Sequence, residues 1–217
     1  MSASLVLLAV FVVSGAIIVA GALKIADLVA RLRALEKQVL TDPLTGAFNR
    51  RHLDVCLRGA IERRRRGGES ACLALFDVDR FKDVNDLLGH AAGDAVLKAI
   101  VALFQRRART LDLLFRTGGE EFALLLPRTG PEAALVVADR LRALIAASRL
   151  IFGHVMTVSV GVSELRDGQS PHDWIADAER ALYAAKRTGR NQVSLVRDQT
   201  DGLVRDQADG AVSHRTA

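Results

Sequence analysis

Cysteine is scarce in this chain of 217 residues: only Cys56 and Cys72 occur, in neither a CxxC pair nor a spacing typical of a metal site. A disulfide framework is therefore not indicated, and a reducing compartment fits best. The sequence also lacks the GxxxxGK(S/T) and GxGxxG patterns, so the two common Gly-rich nucleotide-binding motifs are absent. The length allows one ordinary domain with short appendages.

Charge is absent from one long segment near the N-terminus. No charged residue occurs from Leu5 to Leu23, a run that is about long enough to cross a bilayer as a helix. No Lys or Arg precedes the run, which argues against a secretory signal, whereas basic residues follow it from Lys24 onward. We therefore expect residues 1–23 to form a single transmembrane helix in the inner (cytoplasmic) membrane, with the body of the protein in the cytoplasm. A buried core helix and a cleaved signal are the alternatives.

The net charge of +5 does not indicate a nucleic-acid partner. The chain has no basic stripe interleaved with aromatic residues, and part of the positive excess follows the apolar run. Anionic lipid would attract basic residues at that place.

Residues 24–41 have the pattern of a helical linker. Four apolar residues recur at steps of four and three, which is typical of a coiled-coil seam, although the seam extends over barely two heptads: Leu28, Leu32, Leu35 and Val39. A homodimer held by this seam and by a shared membrane is one interpretation. An amphipathic helix that packs on its own domain is the other.

Residues 42–196 predict a globular domain of interleaved helices and strands. Helices are expected at Phe48–Arg66, Ala92–Arg107, Pro131–Ser148 and Pro171–Arg187. Strands are expected at Ala71–Val78, Leu111–Arg116, Phe122–Pro127, His154–Val162 and Asn191–Leu195, the second and third forming a hairpin across a Gly-Gly pair. This order indicates an α+β fold, ferredoxin-like, with helices flanking a central sheet that contains antiparallel strands.

The C-terminal tail carries an octapeptide duplication. LVRDQTDG is followed directly by LVRDQADG, from Leu195 to Gly210. Two short polar copies that end in Gly cannot bury a core, so residues 197–217 are expected to be disordered.

Acidic residues stand at two places where a fold would bring them together. Asp77 and Asp79 end an apolar strand, and Glu120 and Glu121 lie at the Gly-Gly hairpin. Oxygen ligands with no His or Cys beside them favour Mg²⁺, which leaves coordination positions for substrate phosphates. The alternative for the pair in the hairpin is an ordinary acidic turn.

Further polar residues follow the strand. Asn85 offers a donor and an acceptor and Asp94 offers acceptors, which together match the edge of a guanine base. Cations that could bind phosphate are Lys82, Lys186 and Arg190. A solvated helix flank is the alternative for these cations.

Five segments of the chain resemble the GGDEF domain family, in the same order and at similar spacing. They are DPLTGAFNRR, FDVDRFKDVNDLLGHAAGDAVL, RTGGEEF, VSVGVS and ADAERALYAAKRTGRN. The resemblance covers the globular region and implies a nucleotidyl-cyclase-like fold and diguanylate cyclase activity. In this family each subunit of a homodimer binds one GTP, and two GTP are joined into cyclic di-GMP with release of two pyrophosphates.

The resemblance also implies roles for individual residues. Asp77, the carbonyl of Val78 and Glu120 would hold Mg²⁺, and Glu120 or a neighbouring group would help to deprotonate the attacking 3′-hydroxyl. Lys82 would stabilise the transition state. The role of Glu121 stays open between a second metal ligand and support of the hairpin.

The substrate residues follow from the same resemblance. Asn85 and Asp94 would bind guanine, with His90 near the ribose or base, and Lys186 and Arg190 would bind the phosphates.

Arg109 and Asp112 form an RxxD pattern just before the hairpin. Many members of the family carry an inhibitory site for cyclic di-GMP at this place. An Arg can pair with phosphate or stack on guanine, and an Asp can accept hydrogen bonds from guanine. A surface ion pair is the alternative.

Two rival functions share the resemblance. A catalytically inactive domain could act as a receptor for GTP or cyclic di-GMP, but Asp77, Glu120 and Glu121 are all present. A related cyclase could act on ATP, but Asp94 would then face N1 of adenine, which is itself an acceptor.

Overall fold

The computed structural model describes residue 15 and residues 18–29, 40–150 and 154–196. The chain divides into two units, Met1–Leu40 and Thr41–Ala217. In the first unit, residues 18–29 form helix α1. Among the residues described, no helix is both long and apolar enough to cross a bilayer. Three predicted segments lie mostly or wholly outside the described residues: the anchor, the seam over residues 30–39, and the tail from residue 197.

The second unit is built on a mixed six-stranded sheet with the order β1-β3-β4-β2-β5-β6. Its strands are β1 (Phe48–Asn49), β2 (Ala71–Val78), β3 (Leu113–Arg116), β4 (Glu121–Pro127), β5 (Val158–Glu164) and β6 (Val193–Leu195). The edge pairs β1–β3 and β5–β6 are parallel, and the three pairs between them are antiparallel. The helices are α2 (Arg50–Gly67), α3 (Phe81–Leu88), α4 (His90–Gln105), α5 (Pro131–Ala147) and α6 (Pro171–Arg187). The predicted α+β class is therefore confirmed.

Strand β2 is buried along its whole length because helices cover both faces of the sheet. Successive side chains of a strand point to opposite faces. Cys72, Ala74 and Phe76 accordingly join one core with α4 and α5. Leu73 and Leu75 join a second core with α2 and α6. The same alternation directs the side chain of Asp77 to the face that α6 covers.

Two predicted helices differ from the structure at their starts. The helix predicted from Phe48 begins at Arg50, because Phe48 and Asn49 pair with β3 and the Asn49 side chain caps the helix by accepting from the backbone N–H of His52. The helix predicted over 92–107 is α4, which begins two residues earlier, at His90. Another helix, α3, precedes it and is separated from it by Gly89 at φ +81°. Helix α3 was not predicted, because its short segment FKDVNDLL was read only for its polar functional groups.

Gly161 of β5 allows α6 to lie directly on the sheet. A Cβ at this position would stand 2.1 Å from the backbone N of Leu182 and 2.2 Å from the carbonyl oxygen of Ala178. Both neighbours are backbone atoms of one helix, so neither can swing away as a side chain would. The position of α6 on the sheet, and of every residue that α6 carries, therefore depends on this glycine.

Replacement of Gly161 by Ala is expected to lower the free energy of unfolding by at least about 2 kcal/mol, because added bulk in a packed core forces backbone shifts. Urea denaturation followed by circular dichroism measures the change. Gly67→Ala is the matched control, since a Cβ there meets nothing within 4 Å. An unchanged denaturation midpoint for Gly161→Ala would contradict the close packing.

Candidate active site

Asp77 and Lys186 form a close ion pair where β2 ends. The Nζ of Lys186 lies 2.7 Å from Oδ2 of Asp77, whose side chain is only 11% exposed. Lys186 is placed in the last turn of α6, a helix that starts at a capping box between Ser170 and Asp173. A largely buried carboxylate needs such a partner, because its desolvation is otherwise costly.

Glu120 lies next to this pair, at the end of the turn between β3 and β4. The backbone N–H of Val78 donates to the carbonyl of Glu120 at 3.3 Å, and Asp77 stands opposite Glu121 in the antiparallel register. Burial raises the pKa of the Glu120 carboxyl, and the negative charge of Asp77 raises it further, while Lys186 partly opposes both. A carboxylate with a raised pKa is a better proton acceptor than an ordinary surface Glu.

Arg116 fixes the shape of the hairpin turn. Its Nε and Nη2 donate to the carbonyl of Gly119 at 3.2 and 2.7 Å, and its Nη1 lies 3.1 Å from Oδ1 of Asp42. Burial alone would raise the pKa of Asp42, but hydrogen bonds from Thr45 and Arg116 hold it below its usual value. The sequence analysis assigned no role to Asp42 or Arg116, although both occur in the segments that carry the resemblance.

Gly118 leaves room for the side chain of Glu121. A Cβ on Gly118 would stand 2.5 Å from Oε2 of Glu121. The exposed Glu121 carboxylate therefore folds back over the turn. This placement is compatible with support of the hairpin and leaves a role at a metal ion open.

Asp79 serves the architecture, unlike Asp77. Its carboxylate accepts from the hydroxyls of Thr157 and Ser159, both at 2.7 Å, and from the backbone N–H of Asn191 at 3.1 Å. Three donors from two separate segments therefore converge on one buried side chain. Asp79, which the sequence grouped with possible metal ligands, joins the start of β5 to the turn after α6.

The oxygen donors at the end of β2 fit a magnesium ion. Within the described ranges, no group of three or more His, Cys, Asp or Glu side chains could enclose a metal. The available donors are the carboxylates of Asp77 and Glu120 and the carbonyl of Val78, all of them hard oxygens. Mg²⁺ is commonly held by one or two carboxylates together with substrate phosphates, so this small set suits it. The ammonium of Lys186 at Asp77 also shows that this carboxylate accepts a cation.

The predicted guanine-binding residues lie on the two helices α3 and α4, which pack closely together. A Cβ on Gly93 would stand 2.1 Å from Oδ1 of Asn85, so the Asn85 amide lies against the backbone directly before Asp94. Lys82, in the first turn of α3, and His90, the first residue of α4, are both exposed.

Arg190 lies apart from Lys186, in the turn that follows α6. It lines a cavity of about 430 Å³ together with Arg80, Asp79 and Asn191. Lys186 therefore lies at the carboxylates and Arg190 lies at a neighbouring cavity. Two separate cations of this kind are compatible with a ligand that carries several phosphates.

Arg109 and Asp112 are neighbours in a tight turn before β3. The backbone N–H of Arg109 donates to Oδ2 of Asp112 at 2.9 Å. Both residues line a surface cavity of about 520 Å³, to which Arg107 and Arg140 also contribute. Sequence reasoning missed Arg107 and Arg140, because Arg140 comes from α5 and only the fold brings it to the RxxD turn.

The fold and the site define a class: an α+β domain of nucleotidyl-cyclase type with a mixed sheet flanked by helices. The family model described as diguanylate cyclase, GGDEF domain, matches residues 39–192. The chain therefore belongs to the GGDEF family.

Two relatives illustrate the similarity. The diguanylate cyclase DgcP of Pseudomonas aeruginosa is 40% identical over 169 residues, which cover 76% of this chain and 25% of DgcP. The response regulator PleD of Caulobacter vibrioides is 36% identical over 160 residues, which cover 71% of this chain and 35% of PleD. The chain thus spans well under half the length of either relative.

A solved structure supports the same assignment of the fold. The coiled coil and GGDEF domain of DgcB from Caulobacter crescentus, in complex with c-di-GMP, superposes with a TM-score of 0.71 at 31% identity. The match covers 83% of this chain and 98% of that one.

Proposed function

We propose that this chain is a diguanylate cyclase that condenses two GTP into cyclic di-GMP and releases two pyrophosphates. The observation that carries the proposal is the group formed by Asp77, Lys186 and Glu120 where β2 meets the Gly-Gly hairpin. It supplies carboxylates for a metal, a cation for phosphate and a carboxyl with a raised pKa. The similarity to proteins named diguanylate cyclases supports it.

Each subunit binds one GTP. Asn85 and Asp94, on α3 and α4, hold the guanine edge, with His90 near the ribose or base. Lys186 and Arg190 bind the phosphates. Asp94 selects guanine over adenine because its carboxylate accepts from guanine N1–H, whereas adenine N1 is an acceptor.

The 3′-oxygen of one GTP attacks the α-phosphorus of the other, and the bond between the α-phosphorus and the bridging oxygen of the β-phosphate breaks as pyrophosphate leaves. Glu120, or a group beside it, accepts the proton of the 3′-hydroxyl. Lys82 stabilises the charge that develops on the phosphate. Mg²⁺, held by Asp77, the Val78 carbonyl and Glu120, would supply further neutralisation of phosphate charge. Two such reactions close the ring, which requires two sites that face each other in a homodimer.

Replacement of Glu120 by Gln is expected to lower cyclic di-GMP synthesis by at least about 100-fold, because it removes both a metal ligand and a proton acceptor. The full chain is incubated with GTP and Mg²⁺, and the nucleotides are separated by chromatography. Glu62→Gln is the matched control, since Glu62 pairs with Arg65 and Arg66 of its own helix at the surface, away from the site.

Undiminished turnover by Glu120→Gln would remove the metal and proton roles. Binding of GTP or cyclic di-GMP by a wild-type chain that makes no product would instead support the alternative function, a receptor.

The Arg109–Asp112 cavity is proposed as the inhibitory site for the product. Its volume of about 520 Å³ and its three arginines suit an anionic nucleotide, and Asp112 can accept from guanine.

Arg109→Ala is expected to raise the cyclic di-GMP concentration that halves the initial rate by about tenfold, the typical cost of one lost charge-assisted hydrogen bond. Inhibition curves at fixed GTP measure this shift. Arg128→Ala serves as the control, because Arg128 pairs with Glu69 at the other end of β4. Superimposable curves for wild type and Arg109→Ala would exclude the RxxD site.

We infer that residues 1–23 anchor the chain in the inner (cytoplasmic) membrane with the catalytic domain in the cytoplasm. The inference is supported by the absence of charge from Leu5 to Leu23 and by the basic residues that follow. The linker of residues 24–41 would then help two chains to dimerise, because a shared membrane plane raises their effective concentration.

Three chain lengths test the anchor and the linker: the full chain, a chain from Lys24 and a chain from Thr41. The full chain is expected to sediment with membranes and the shorter chains to stay in the supernatant. The specific activity of both shorter chains should rise with protein concentration, and more steeply for the chain from Thr41. A full chain found in the supernatant would contradict the anchor, and equal concentration dependence of the shorter chains would contradict the linker's role.

A further inference from the structure

The turn that carries Arg190 has an unfavourable backbone conformation. Gly189, Arg190 and Asn191 follow α6 with φ angles of +125°, +62° and +47°. Arg190 is not glycine, so the left-handed region costs it about 1 kcal/mol or more, whereas Asn191 tolerates this region better than most residues. Such a turn persists only where its surroundings hold it.

Several hydrogen bonds to α6, to Asp79 and to β5 hold this turn. The backbone N–H of Arg190 donates to the carbonyl of Ala185, and that of Asn191 donates to Asp79 at 3.1 Å. The following residue, Gln192, is tied through its carbonyl to the N–H of Val160 on β5. These contacts fix the main chain on both sides of Arg190.

One contact comes from outside, from α5. Nη1 of Arg142 donates to Oδ1 of Asn191 at 2.8 Å, while Nε of the same guanidinium lies 2.7 Å from Oδ1 of Asp139. The Arg142 side chain is only 20% exposed. Asp139 therefore fixes the guanidinium on its own helix, and the guanidinium in turn fixes the Asn191 side chain.

We propose that Arg142 is a positioning residue for the GTP phosphates: through Asn191 it keeps the left-handed turn in the conformation that presents Arg190. The proposal rests on the proposed function, in which Arg190 binds phosphate. Arg142 itself does not touch the substrate. Its loss would remove one of the ties on the turn that carries Arg190, and so weaken the hold on Arg190, without touching Asp77, Glu120 or Lys186.

Arg142→Met keeps the aliphatic part of the side chain and removes its hydrogen-bond donors. It is expected to raise KM for GTP about tenfold while kcat stays within about twofold. This pattern indicates the loss of an interaction that binds substrate and transition state equally. Arg142→Lys should lie between wild type and Arg142→Met, because a single ammonium can reach Asn191 but cannot also hold Asp139 in a fork. Arg65→Met is the matched control: Arg65 also pairs with an acid three residues earlier on its own helix, Glu62.

Equilibrium binding gives a second readout that does not require turnover. Calorimetry with Mg²⁺ and the α,β-methylene analogue of GTP, which cannot release pyrophosphate, should show the same tenfold weakening for Arg142→Met. The two proposals can fail separately. If the wild-type chain makes no cyclic di-GMP, the proposed function is overturned. If Arg142→Met nevertheless binds the analogue more weakly than wild type does, the positioning role is supported.

A double-mutant cycle tests whether Arg142 acts through Asn191. Asn191→Gly removes the acceptor at a φ of +47°, which glycine adopts without strain. In this background, Arg142→Met should change KM and analogue affinity by less than about twofold, because the contact no longer exists.

Three results would overturn the proposal. The first is unchanged KM and analogue affinity in Arg142→Met. The second is a loss confined to kcat or to the melting temperature, as a purely structural tie would give. The third is a full tenfold effect of Arg142→Met that persists in the Asn191→Gly background.

Discussion

The candidate site depends on the placement of one carboxylate at the end of a strand that is buried on both faces. The alternation of β2 directs Asp77 to the side of the sheet that α6 covers, and Gly161 lets α6 lie close enough for Lys186 to reach it at 2.7 Å. Without this cation, the Asp77 carboxylate would be nearly buried and unpaired, at a cost of several kcal/mol. Burial raises the pKa of Glu120 at the hairpin, and the negative charge of Asp77 raises it further. The placement of Asp77 thus sets its pairing with Lys186 and contributes to the proton affinity of Glu120.

Asp77 and Asp79 show how two neighbouring acids of one segment acquire different partners. Both are buried, and their position at the end of the apolar strand does not by itself distinguish them. Asp79 accepts from two hydroxyls and one backbone N–H, so its hydrogen bonds lie within the protein. Asp77 is paired with Lys186 at 2.7 Å, next to the hairpin that carries Glu120. In the proposed function, the carboxylate would bind a metal and the ammonium would bind phosphate. The difference comes from Thr157, Ser159 and Asn191, whose approach depends on tertiary structure.

The sequence predicted the parts of the fold that local pattern determines. The bounds of β2 and α6 were correct, because a continuous apolar run and a Ser-Pro start are local signals. Helix α3 was missed, since its eight residues depend on packing against α4, where Gly93 lies against Asn85. The assignment of Asp77 and Glu120 to one place was possible from motifs, and the structure brings them together. Contacts between distant segments, such as Arg116 with Asp42, have no local signature.

Arg116 shows why such a distant contact matters to the hairpin turn that carries Glu120. Its guanidinium divides its donors between the carbonyl of Gly119 and the carboxylate of Asp42, two groups that no single hydrogen-bond donor could hold together. The carbonyl of Gly119 must point toward Arg116 for this, which fixes the peptide that leads into Glu120. Asp42 is in turn held by Thr45, in the first turn of the domain. The position of Glu120 is therefore set from two directions, by the β2 ladder on one side and by the start of the domain on the other.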